Sequence, residues 1–298
     1  MSAENLTLAA YCTAIIAASL LGGWLPSLLR MTHTRTQLVM SFVAGLMLGV
    51  ALYHLLPHAL ASLQPRAGSV HGAIDSVAAW MMLGMILMLM MLRLFHFHQH
   101  EFGDDGHDHG ADGHAHDGHQ HTLAHPLSWV GIAAGQSVHA LIDGVALGAS
   151  VVGAHAAGGF SWLGQGVFFA ILLHKPLDAL SIISIMKAGG WPSAARVAAN
   201  VGFALLVPLG AVAFVWGLGQ LDNQSAVVGC ALAFSAGVFL CISLGDLLPE
   251  VHFHSHDRVK LTLAFLLGIG LAYAIRFVED EAAHGVARAG IKLLPGLA

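Results

Sequence analysis

Eight stretches of this sequence are long and apolar enough to cross the roughly 30 Å hydrocarbon core of a bilayer as helices, and few folds are open to such a chain. The first runs from Leu6 to Leu29, and the others lie near 38–63, 72–95, 126–153, 160–186, 191–219, 225–248 and 259–277. We number them spans 1 to 8. Only 10% of the 298 residues are charged and mean hydropathy is +0.73, whereas a soluble domain carries about 25% charged residues. An ordinary soluble enzyme is thereby excluded. The expected fold is an all-α polytopic membrane protein, each span satisfying its own backbone hydrogen bonds, with the lipid bilayer as its surroundings. Span 1 has only Glu4 before it and so lacks the basic start of a secretory signal; it reads as a retained helix. The three cysteines, Cys12, Cys230 and Cys241, all sit in apolar runs and suggest neither a disulfide framework nor a thiolate zinc knuckle.

An even number of spans puts both termini on one side. With the N-terminus outside, the inner segments hold Arg30, Arg35, Arg93, Lys187, Arg196, Arg258 and Lys260, against Arg66, Arg276, Arg288 and Lys292 outside. That bias favours termini outside the cytoplasm, and we expect a bacterial inner (plasma) membrane. Net charge is −5, but residues 96–125 alone hold six acids and no Lys or Arg. The remainder is about neutral and offers no footprint for nucleic acid.

Residues 42–57 read FVAGLMLGVALYHLLP and residues 234–249 read FSAGVFLCISLGDLLP, sharing Phe, Ala-Gly, Leu positions and a terminal Leu-Leu-Pro. The first lies in span 2 and the second in span 7, which cross in opposite directions. The expectation is an inverted repeat of spans 1–3 and 6–8 around spans 4–5, an architecture that puts a substrate site near the midplane.

Span 4 contains His139-Ala-Leu-Ile-Asp143-Gly144 and span 5 contains His174-Lys175-Pro176-Leu177-Asp178. A spacing of four puts each imidazole and carboxylate on one helix face. Ionisable groups at the bilayer centre each cost at least about 2.5–3.5 kcal/mol, so five on adjacent spans need a shared partner. Two imidazoles and two carboxylates suit Zn²⁺ and tolerate Fe²⁺, Mn²⁺ or Cd²⁺, with no organic cofactor required. Pro176 has no amide to offer the Leu172 carbonyl. Lys175 lies about 100° round the helix from His174; of lipid, an unrelated direction or the two carboxylates, lipid is disfavoured by insertion cost. If it faces Asp143 and Asp178, it substitutes one positive charge for a second divalent ion.

These motifs resemble those of the ZIP (Zrt/Irt-like) divalent-metal transporters, and the resemblance covers the whole chain. It rests on eight spans, a His-rich loop after span 3, the His-x-x-x-Asp-Gly of span 4 and the His-x-x-x-Asp of span 5. It implies that His139, Asp143, His174 and Asp178 form the principal metal site, with Met47 at a position able to add a thioether. It also implies alternating access, in which spans 4 and 5, with 1 and 6, move against a wall containing 2 and 7. The chain departs from members that hold two metals at Ala140, Lys175 and Val207, and we expect one buried transport metal.

The repeat puts His54 and His58 of span 2 opposite Asp246 and Glu250 of span 7, read as inlet and outlet of a metal route. The inner cluster His252, His254 and His256 extends the outlet. Residues 96–125 contain ten His and no apolar period. Such a segment cannot bury a core and is expected to be a disordered cytoplasmic loop, capturing metal through His107, His109, His114, His116, His119 and His121. The organisation is thus 1–95 (spans 1–3), 96–125 (loop), 126–186 (spans 4–5, the site), 187–277 (spans 6–8) and 278–298 (a short tail). Movement of Zn²⁺ into the cytoplasm is the expected function, and a homodimer is left open. A cation-diffusion-facilitator exporter is the first alternative, but those proteins usually have six spans, carry their pairs on spans 2 and 5, and end in a soluble domain. An intramembrane zinc hydrolase is the second, and the acids near the site are already used as ligands, leaving no general base. The chain is therefore not expected to be an enzyme.

Overall fold

The computed structural model describes residues 3–28, 33–95, 128–156, 164–247 and 258–292. Among these, eight helices are long and apolar enough to cross a membrane: Glu4–Trp24, Thr34–Gln64, Val70–Leu94, Ala133–Ala154, Gln165–Ala188, Ser193–Leu218, Gln224–Gly245 and Arg258–Phe277. They correspond to spans 1 to 8, and no strand occurs among the described residues. The loop histidines, Glu250 and His252, His254 and His256 lie outside the described residues, as does the Asp246 side chain.

Proline shapes spans 6 and 2. Span 6 is two helices, Ser193–Ala204 and Leu206–Leu218, joined at Leu205. Pro208 has no amide for the Ala204 carbonyl, so the regular ladder cannot continue there. In span 2, the helix His33–Val50 passes through a π turn, Ala51–Leu55, into a further helix, Leu56–Ala67. Pro57 offers nothing to the Tyr53 carbonyl and its ring crowds that oxygen; widening the preceding turn relieves the clash without ending the helix. In span 7 a π turn occupies Ser243–Leu247. Each π turn begins nine residues after the first Phe of its motif, Phe42 or Phe234. In span 2 the widened turn lies within a helix that continues to Ala67, so His54 lies well inside the span and is buried.

Span 2 packs along span 8, span 3 along span 7, span 1 along span 5 and span 4 along span 6. The second half of span 2 also packs on span 7, and span 4 bridges spans 5 and 7. In lipid no hydrophobic gain distinguishes helix from tail, so association depends on close backbone approach. Glycine provides it. A Cβ on Gly45 would strike the Phe265 carbonyl, and one on Gly268 the Phe42 carbonyl. Between spans 3 and 7, Gly84 meets Phe234 and Gly237 meets Met81 in the same reciprocal way. Gly210 of span 6 lies against the Leu141 backbone and Gly22 of span 1 against the Pro176 backbone, each two residues past a site histidine. Side-chain bonds fasten the spans further: Ser41 Oγ donates to the Leu261 carbonyl and Ser243 Oγ to the Ala44 carbonyl, both at 2.7 Å.

Candidate metal centre

Spans 4 and 5 each present a histidine and, one turn later, an aspartate, and the pairing of the two spans turns both sets toward one point. His139, Asp143 and His174 are buried, and one ligand atom from each of these and from Asp178 lies within 4.8 Å of the others. His174 Nε2 is 3.2 Å and His139 Nε2 3.4 Å from Asp143 Oδ2, and each is 3.9 Å from Asp178 Oδ2. Ligands about 2.0–2.2 Å from a tetrahedral zinc stand roughly 3.3–3.6 Å apart, so the cluster needs little rearrangement to enclose one ion. Asp178 keeps 15% side-chain exposure while the other three are at 5% or less, and the cluster opens on its side.

The surroundings fix which atoms face inward. His174 Nδ1 donates to the Ala170 carbonyl at 2.7 Å, one turn back on its own helix, which directs Nε2 to the cluster. Phe239 in span 7 packs perpendicular to the same ring, with centroids 6.4 Å apart. His139 Nδ1 and Asp143 Oδ1 are buried with no hydrogen-bond partner among the described residues. An unpaired carboxylate oxygen is costly in a low-dielectric interior, and a cation at the cluster would relieve it.

Lys175 is fully buried, so it does not face lipid. Its Nζ lies 3.0 Å from Asp143 Oδ2 and 3.3 Å from Asp178 Oδ2, on the two oxygens that also face the imidazoles. The ammonium also sits over the ring of Phe203 in span 6, 4.7 Å from its centroid. Nothing in the sequence marked Phe203, one aromatic in an apolar run. Met47 is buried in span 2, and no described bond joins its sulfur to the four ligands.

His54 and His58 lie apart from this cluster, beside a small cavity walled by Leu55, Ser150, Val167 and Leu232. His54 Nε2 donates to the Ala272 carbonyl of span 8 at 2.9 Å, and its ring covers Gly166, where a Cβ would fall 2.7 Å from Nδ1. Ser150 and Gly166 went unnoticed in the sequence, because residues so small carry no periodic signal.

Eight membrane-length helices among the described residues, with two imidazoles and two carboxylates gathered between them, define the class: a polytopic membrane protein with a candidate cation site between its spans. The family model described as "ZIP Zinc transporter" matches residues 96–276, more than half of the chain, and the chain belongs to that family, whose members are transporters rather than enzymes. A relative from Xenopus laevis, zinc transporter ZIP9-B, is 27% identical over 281 residues, covering 82% of this chain and 86% of the relative. Zinc transporter ZIP9 of Micropogonias undulatus is 36% identical over 129 residues, 42% of this chain and 40% of that protein. Zinc transporter zipt-7.1 of Caenorhabditis briggsae is 25% identical over 292 residues, 82% of this chain and 71% of its own length.

Proposed function

We propose that the chain carries Zn²⁺ into the cytoplasm by alternating access, binding one ion at a time on His139, Asp143, His174 and Asp178. The observation that carries this reading is the meeting of two Nε2 and two Oδ2 atoms between the spans, each Nε2 3.2–3.9 Å from the two carboxylate oxygens. Fe²⁺, Mn²⁺ and Cd²⁺ suit the same donors, while the relatives' names favour zinc. Lys175 takes the place of a second ion: its one positive charge neutralises part of the pair of carboxylates when the site is empty.

The inverted repeat is part of the proposal, with spans 1, 2 and 3 exchanging with 6, 7 and 8, and span 4 with 5. Support comes from the matched π turns and from glycine contacts that map onto one another under that exchange: Gly45 with Gly237, Gly268 with Gly84, Gly22 with Gly210. The same exchange relates Met47 to Phe239, and Phe239 packs on His174. Met47 is accordingly assigned beside His139, as an added soft donor. Spans 1, 4, 5 and 6 then form one bundle and 2, 3, 7 and 8 the other, with the site travelling on the first.

His54 and His58 serve the inlet of this route, and Asp246, Glu250 and His252, His254 and His256 the outlet. The His-rich loop gathers metal on the cytoplasmic side of an inner membrane, both termini lying opposite. The test is uptake by purified protein in vesicles. Asp143→Asn and His174→Ala abolish saturable zinc uptake while the protein still inserts; uptake at the parent rate in both places the site elsewhere. Comparing Zn²⁺, Fe²⁺, Mn²⁺ and Cd²⁺ in the same vesicles establishes the preferred ion.

A further inference from the structure

We infer that Phe203 is a positioning residue for Lys175: its ring face is the seat to which the ammonium withdraws when a divalent ion occupies Asp143 and Asp178. This rests on the metal reading of the four-ligand cluster and adds to it a residue that sets metal affinity. Lys175 has no exposure at all, so its charge has no route to water. Three features described around Nζ attract a cation: Asp143 Oδ2 at 3.0 Å, Asp178 Oδ2 at 3.3 Å and the Phe203 ring at 4.7 Å. A metal ion claims the two oxygens and repels the ammonium, and the repulsion is strong in a medium of low dielectric. The ring remains. An aromatic face carries negative electrostatic potential and attracts an ammonium within about 6 Å of its centroid, more strongly where water is excluded.

Phe203 is itself buried, on the helix Ser193–Ala204, and Asn200 on the same helix donates from Nδ2 to the Leu20 carbonyl at 3.2 Å, tying it to span 1. The ring is thus a fixed wall, and the flexible lysine stem supplies the movement. Between empty and loaded states the ammonium shifts from carboxylate to ring without leaving the site. Phe203 thereby sets how hard Lys175 competes with the metal.

The experiment is a double-mutant cycle on full-length protein in vesicles, with Zn²⁺ as the probe, reading both calorimetric affinity and the KM and kcat of uptake. Phe203→Leu weakens zinc binding and raises KM by about tenfold with kcat little changed, because the loaded state loses its seat for the ammonium. Phe203→Tyr, which keeps the aromatic face, restores parent affinity. In a Lys175→Met background, Phe203→Leu leaves affinity where Lys175→Met set it. Phe203→Met, unbranched and better able to fill an irregular gap, stands in should Phe203→Leu fail to reach the membrane, with the same expected outcomes. The inference is overturned by parent affinity in Phe203→Leu, or by an equal loss with and without Lys175, which marks the ring as packing only. Failure of the metal reading itself is separate: it appears as zinc binding that survives Asp143→Asn.

Discussion

Lys175 Nζ lies closer to Asp143 Oδ2, at 3.0 Å, than either imidazole of the cluster does. Under the proposed function, a protein cation and a transported one contend for the same oxygen. A metal held by two buried carboxylates with no competitor would leave slowly, and the ammonium provides the competition that favours release.

Replacing Lys175 with Met removes that competitor and leaves the two carboxylates uncompensated. Zinc should bind at least about tenfold more tightly and raise Tm more than in the parent, while turnover falls. Calorimetry together with vesicle uptake checks both halves. Unchanged affinity sinks the proposed competition, and a metal-soaked structure with two ions bridged by Asp143 and Asp178 sinks the single-ion site.

The glycine contacts predict a sharp contrast within one helix. Gly268→Ala forces a methyl into the Phe42 backbone and should destabilise the protein by about 1–3 kcal/mol. Gly270→Ala, two residues on, meets nothing within 4 Å and should be neutral or stabilising by about 0.5–1 kcal/mol through helix propensity. Thermal unfolding in detergent compares them, and equal effects would show that the span 2 to span 8 approach is looser than described.

Gly166→Ala tests the inlet. Its Cβ would displace the His54 ring, 2.7 Å away, and disturb the bond to the Ala272 carbonyl. Uptake should slow while zinc affinity at the central cluster, measured at equilibrium, stays at the parent value. Parent uptake kinetics in this variant would remove His54 from the route.

Deleting residues 100–122 should leave vesicle uptake close to the parent rate, since all four central ligands stand on spans 4 and 5. A well-inserted deletion variant with no uptake would make the loop part of the path.

The amino-acid sequence by itself determined the eight spans, because their length and apolar composition are dictated by the bilayer rather than by neighbouring residues. It also singled out the four candidate ligands, since His and Asp four apart share a helix face whatever surrounds them, and the structure brings all four together. What it left open depends on contacts between residues far apart in the chain. Lys175 had three directions open to it, and only the meeting of spans 4, 5 and 6 brings both carboxylates and the Phe203 ring around its ammonium. The sequence carries span 2 through Leu-Leu-Pro to residue 63, but nothing in it announces the π turn at Ala51–Leu55 ahead of Pro57. His54 reads in the sequence as an inlet residue; it is buried, and span 8 supplies it a carbonyl that no local pattern announces. Local periodicity fixes which face a residue occupies; what that face meets is decided only when the helices pack.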